Sequence, residues 1–134
     1  MKHIIFLILL ATPVLVSAQS KKDIKNSGIK KCSIYNVSAE NGKEVKKLET
    51  VIKYDASGRE CEEVSYDKKT GKVTKTEVTE YDANGKKSKV TEKDASGKVV
   101  KTSVYKYNDK EFRTEKQIFD GSGKMKSKDI YVYE

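Results

Sequence analysis

Residues 74–98 read Thr74-Lys75-Thr76-Glu77-Val78-Thr79-Glu80-Tyr81-Asp82-Ala83-Asn84-Gly85-Lys86-Lys87-Ser88-Lys89-Val90-Thr91-Glu92-Lys93-Asp94-Ala95-Ser96-Gly97-Lys98. Two runs of Thr, Val, Lys and Glu are each closed by Asp-Ala-Asn/Ser-Gly-Lys. Thr, Val and Tyr favour strands, and the runs show little helical periodicity. Each closing Asp can accept backbone N–H groups ahead of it and so start a turn. Each Gly can take the positive φ that a type I turn followed by a G1 bulge requires. The stretch therefore reads as strand, turn, strand, turn.

The same punctuation recurs on both sides. It appears as Asn41-Gly42, Asp55-Ala56-Ser57-Gly58-Arg59, Asp67-Lys68-Lys69-Thr70-Gly71-Lys72 and Asp120-Gly121-Ser122-Gly123-Lys124. A degenerate copy, Asn108-Asp109-Lys110-Glu111, has Glu111 where Gly is expected, which predicts a strained or differently built turn. Asn41-Gly42 suits a two-residue type I′ loop. The segments between turns give eight strands, over about 31–38, 44–54, 59–66, 72–81, 86–93, 98–107, 112–119 and 124–133. Loops this short force antiparallel neighbours. The predicted class is all-β, an antiparallel up-and-down meander in a thin or single-layer twisted sheet.

The N-terminus reads differently. Lys2 and His3 precede the apolar run Ile4–Leu10, and Val16-Ser17-Ala18 offers small residues for cleavage. This is the pattern of a secretory signal peptide over residues 1–18, and the run is too short for a membrane-spanning helix. Residues 19–30 read as a flexible N-terminal arm and 31–134 as the repeat domain. No later segment is apolar enough to span a membrane. An exported, periplasmic, cell-surface or secreted protein is expected.

Cleavage after Ala18 removes His3, the only histidine. Ser-His-Asp and Cys-His catalysis and imidazole metal ligation are then excluded. Ile, Val, Leu and Phe make up only about 17% of the remainder, below the roughly 20% that ordinary cores need. The fold must need little buried apolar surface. Cross-strand Tyr, Thr and Lys/Glu pairs, roughly 0.2–1 kcal/mol each, would replace it.

With register fixed by the turns, one face collects Cys32, Ile34, Val51, Cys61, Val78, Val90, Val100, Val104, Ile118, Ile130 and Val132. The other collects Tyr35, Leu48, Ile52, Tyr54, Val64, Tyr66, Tyr81, Tyr105, Tyr107, Phe119, Tyr131 and Tyr133. Tyr54, Tyr66, Tyr81, Tyr105 and Tyr107 are the candidate ligand or partner face. They would stack on sugar rings beside Lys donors, or serve only as ladders between strands. The stripe Val51, Val78, Val90, Val104 and Ile118 is the candidate homodimer face.

Tyr54-Asp55-Ala56-Ser57-Gly58-Arg59, Tyr81-Asp82-Ala83-Asn84-Gly85-Lys86 and Phe119-Asp120-Gly121-Ser122-Gly123-Lys124 resemble the tyrosine–aspartate (YD) hairpin repeats of RHS-type bacterial surface proteins. The resemblance covers residues 54–134 at most. The Lys/Glu/Thr-rich meander is also similar to the single-layer sheet of a spirochaete outer-surface lipoprotein. The layout is similar to that of small exported bacterial β-repeat proteins of unknown function. These resemblances imply shared architecture and transfer no catalytic residues.

Export favours a disulfide between Cys32 and Cys61. The turn-defined register places Cys32 opposite Val51 and Cys61 opposite Lys53, two strands and roughly 10 Å apart at ~4.8 Å per strand. A disulfide needs Cα atoms within about 7 Å. A planar meander opposes the bond, a strand swung over the sheet permits it, and both stay open here.

A calcium loop needs more oxygen ligands than the Asp turns supply, and Lys or Arg follows most of the turn glycines. No metal or cofactor is expected. The net charge of +8 is spread among interleaved acids, which with export argues against nucleic acid. An envelope glycan or protein is the expected partner. The expected function is a non-enzymatic structural or recognition module of the bacterial envelope. The alternatives are a carbohydrate or anionic-glycan binding module and a self-assembling dimer. A carboxylate hydrolase would need a cleft that a thin sheet does not provide.

Overall fold

The computed structural model describes residues 20–134, so the signal peptide expected over 1–18 lies outside the described residues. A short helix, α1 (Lys21–Asn26), precedes eight strands: β1 (Lys31–Glu40), β2 (Lys43–Tyr54), β3 (Glu60–Tyr66), β4 (Val73–Tyr81), β5 (Lys87–Asp94), β6 (Val99–Tyr107), β7 (Arg113–Asp120) and β8 (Met125–Ile130). They form one open sheet in chain order, antiparallel throughout. This is the all-β meander that the turn spacing predicts.

The turns are built as their residues dictate. Asn41 and Gly42 both take positive φ, 51° and 76°, as a type I′ loop requires. In the longer turns the opening carboxylate accepts the amides two and four residues on, or, at Asp67, two and three residues on. Asp82 Oδ1 takes Asn84 N and Lys86 N, both at 2.9 Å, and Asp120 Oδ1 takes Ser122 N and Lys124 N, both at 3.0 Å. Hydrogen bonds from the Ser96 and Ser122 hydroxyls, together with backbone amides, hold the Asp94 and Asp120 carboxyls below their ordinary pKa.

Two readings are corrected. The arm expected over 19–30 contains α1. Ser20 caps this helix, accepting Asp23 N on its hydroxyl, and Ile24 on its inner side is 6% exposed. The second correction concerns register. Each turn-adjacent pair is as predicted, for example Tyr81↔Lys87, but the next pair is Glu80↔Lys89, which leaves Ser88 unpaired. A bulge of this kind falls on the second strand of every hairpin: Glu49, Cys61, Thr74, Ser88, Val100, Thr114 and Lys126 are the skipped residues. A one-residue slip sends the following side chains to the opposite face.

The expected aliphatic stripe is therefore divided. Val51, Val64 and Val78 lie on one face with Val104 and Ile130. Ile52, Val90 and Ile118 lie on the other with Tyr54, Tyr81, Tyr105 and Tyr107. The candidate dimer face does not exist as one stripe.

Bulges add right-handed twist and bend the bulged strand. Seven act in succession on this sheet, and its buried strand residues lie on the tyrosine face. There Val90 and Ser103, paired across β5 and β6, are 8% and 5% exposed although no second layer covers them. Ile24 and Val90 are the only buried hydrophobic residues among those described. Direct cross-strand ion pairs, Lys53–Glu62 at 2.6 Å, Lys89–Glu80 at 3.1 Å and Lys101–Glu92 at 2.5 Å, stand where an ordinary sheet would carry apolar pairs.

Candidate functional site

Four tyrosines recur at the ends of even-numbered strands or just past the last: Tyr54, Tyr81, Tyr107 and Tyr133, spaced by 27, 26 and 26 residues. Three act alike. Tyr81 Oη donates to the Glu60 carbonyl at 2.8 Å, Tyr107 Oη to that of Lys87 at 2.7 Å, and Tyr133 Oη to that of Arg113 at 2.7 Å. Each acceptor is the first residue of the preceding odd-numbered strand. Each bond pins the ring at a fixed angle beside the sheet.

After two of the turns, the next residue packs on a tyrosine of the series. The Arg59 guanidinium sits 4.4 Å from the Tyr81 ring centre, and the Phe112 ring lies 5.2 Å from that of Tyr133. Between these positions lies Arg113, directly opposite Tyr107 in register, 4.9 Å from the Tyr105 ring centre and 5.6 Å from that of Tyr131.

Tyr54, Tyr81, Tyr107, Tyr131 and Tyr133 line an open groove of about 640 Å³ on the tyrosine face, with Lys21 and Ile24 of α1 also lining it. Arg59, Lys86, Lys87 and Arg113 line it against the acids Glu60 and Glu111. Arg59 is paired with Asp55 at 2.8 Å and Lys86 with Glu111 at 3.6 Å. Burial raises the Tyr81 hydroxyl's pKa, with the Glu60 and Asp55 carboxylates adding to it; burial likewise raises that of Tyr54. The phenols of Tyr131 and Tyr107 hold Arg113 in its charged form.

Of the five tyrosines expected to share a face, Tyr54, Tyr81 and Tyr107 line the groove, and Tyr105 lies against Arg113 on the same face. Tyr66 does not join them: Ser65↔Lys75 and Ile52↔Glu63 place it on the opposite face. Tyr131, Tyr133, Arg59 and Arg113 complete the groove and were not singled out from the sequence. Tyr133 was legible as the fourth member of the series. The arginines carried a compositional signal, being the only two in the chain.

Cys32 and Cys61 are free thiols. Cys32 lies opposite Ile52, not Val51, and the bulged Cys61 directs Sγ at the Lys53 carbonyl at 3.5 Å, with β2 between the two. Among the described residues no group of three or more His, Cys, Asp or Glu is placed to hold a metal ion, and no helix is long and apolar enough to cross a membrane. No family model and no curated protein matches this sequence.

Proposed function

We propose that this chain is a non-enzymatic recognition module of the bacterial envelope, exported by its N-terminal leader, and that its tyrosine groove binds glycan. The observation that carries this reading is the pinned tyrosine series. Rings held by hydroxyl-to-carbonyl bonds present fixed apolar faces in an open groove, with Lys and Arg donors alternating between them. A sugar ring needs this pairing of a flat apolar surface with nearby hydrogen-bond donors.

A second reading draws on the same hydroxyl bonds. A tyrosine that donates to a backbone carbonyl also ties two strands together, so the module acts as a rigid spacer whose tyrosines only hold it in shape.

A glycan array separates the two. On the first reading the protein holds a defined class of oligosaccharide. Tyr107→Ala loses it while remaining folded by circular dichroism, and Tyr66→Ala, on the opposite face, keeps it. Absence of binding, or binding indifferent to Tyr107→Ala, rejects recognition through the groove and leaves the spacer.

A further inference from the structure

The two arginines of this chain have opposite surroundings. Arg59 Nε donates to Asp55 Oδ2 at 2.8 Å, so its charge is answered inside its own turn. Arg113 lies between the Tyr105 and Tyr131 rings, and among the described residues no carboxylate forms an ion pair with it. Its Nε is buried without a hydrogen-bond partner. A cationic donor withdrawn from water and left unpaired costs free energy, and such a group in a folded protein calls for an explanation.

The neighbouring ring supplies the second half of the argument. Tyr107 is the register partner of Arg113, and its hydroxyl is fixed on the Lys87 carbonyl at 2.7 Å. Tyr81 and Tyr133 already carry Arg59 and Phe112 on their rings. Among the described residues no cation or aromatic ring is stacked on Tyr107. Glu111, the acid nearest along the chain among those lining the groove, is engaged by Lys86 at 3.6 Å. A pinned ring with no cation or aromatic ring stacked on it thus stands beside a guanidinium that no carboxylate answers and whose Nε has no partner.

We propose that Tyr107 and Arg113 form a subsite for a uronic-acid residue of an acidic glycan, the pyranose lying on the Tyr107 ring and its carboxylate meeting the Arg113 guanidinium. The planar guanidinium fork matches a carboxylate better than an ammonium does, and the C–H face of a pyranose packs on an aromatic ring. The inference rests on the reading of the groove as a glycan site and adds the class of sugar that it prefers.

Isothermal titration calorimetry with trigalacturonic acid and with its uncharged methyl ester tests it. The protein should bind the acid at least tenfold more tightly than the ester. Arg113→Gln should abolish that preference. Arg113→Lys, which keeps a cation over the tyrosines but not the fork, should retain only part of it. Equal binding of acid and ester by the unmodified protein, or a preference that survives both substitutions, overturns the uronate subsite and leaves the glycan reading standing. Failure to bind either trisaccharide overturns the uronate subsite, and the glycan array decides the wider reading independently.

Discussion

Glu111 occupies a position that the other long turns give to glycine. Its φ is 64°, beside 75° at Gly58, 78° at Gly85 and 86° at Gly97. The turn is otherwise built like its neighbours: Asn108 Oδ1 accepts Lys110 N at 3.1 Å and Phe112 N at 3.0 Å, and Glu111 N donates to the Asn108 carbonyl at 2.9 Å. The fold imposes the left-handed conformation on a residue whose Cβ disfavours it by roughly 1–2 kcal/mol. Glu111→Gly should therefore stabilise the protein by about 1 kcal/mol. The ion pair lost with Lys86 is half-exposed and 3.6 Å long, and such pairs contribute little. Thermal unfolding should show a melting temperature higher by several degrees, since about 1 kcal/mol moves a domain near this size by roughly 4–8 °C. A lower melting temperature would mean that the pair with Lys86 outweighs the backbone strain.

Helix α1 shows what single elements owe to their surroundings. Six residues are too few for a stable isolated helix. It exists here because Ile24 is buried and because the turn between β2 and β3 offers a surface without a side chain at Gly58. A Cβ there would collide with the Lys21 carbonyl. Ile24→Ala removes that anchor and should cost about 2 kcal/mol, the low end for burial lost at a rim. Hydrogen exchange should then accelerate at Ile24, Ser27 and Gly28, whose amides are bonded within the helix and its cap, while the strands stay protected. Unchanged protection would show that the helix does not depend on docking. This dependence explains why the sequence reads as an arm: one apolar residue between lysines has no periodicity, and its partner glycine lies more than thirty residues away. The strands, by contrast, were legible to within a residue or two at most ends, because every turn carries its own chemistry. The bulges were not, since Glu49, Cys61, Thr74, Ser88, Val100, Thr114 and Lys126 have no one residue type in common; only the two threonines match. The groove was half legible for the same reasons. The tyrosines follow the visible period, but their division between faces depends on the bulges, and Arg113 gains its meaning only when β6 and β7 bring it opposite Tyr107.

At the scale of the whole molecule, each strand touches only its sequence neighbours, and all the loops are short. Stability is then close to a sum of hairpin terms and junction terms along one dimension, as in stacked-repeat proteins. It lies largely in backbone ladders, tyrosine hydroxyl bonds and cross-strand ion pairs, with Ile24 and Val90 the only buried hydrophobic residues among those described. The heat-capacity change of unfolding tests this directly. Exposing apolar surface raises it and exposing polar surface lowers it, to a usual net of about 12–15 cal/mol/K per residue. A sheet that buries few apolar side chains and many polar ones should fall clearly below that range, so its stability should vary little with temperature around the maximum. Differential scanning calorimetry over several pH values gives the quantity as the slope of unfolding enthalpy against melting temperature. A value within or above the usual range would mean that the protein in solution hides far more apolar surface than this single layer does. The surface available for that is the face bearing Val51, Val64, Val78, Val104 and Ile130, covered by a second copy. Repeating the scans at tenfold dilution distinguishes the two states, because the melting temperature of a dimer falls with concentration and that of a lone sheet does not.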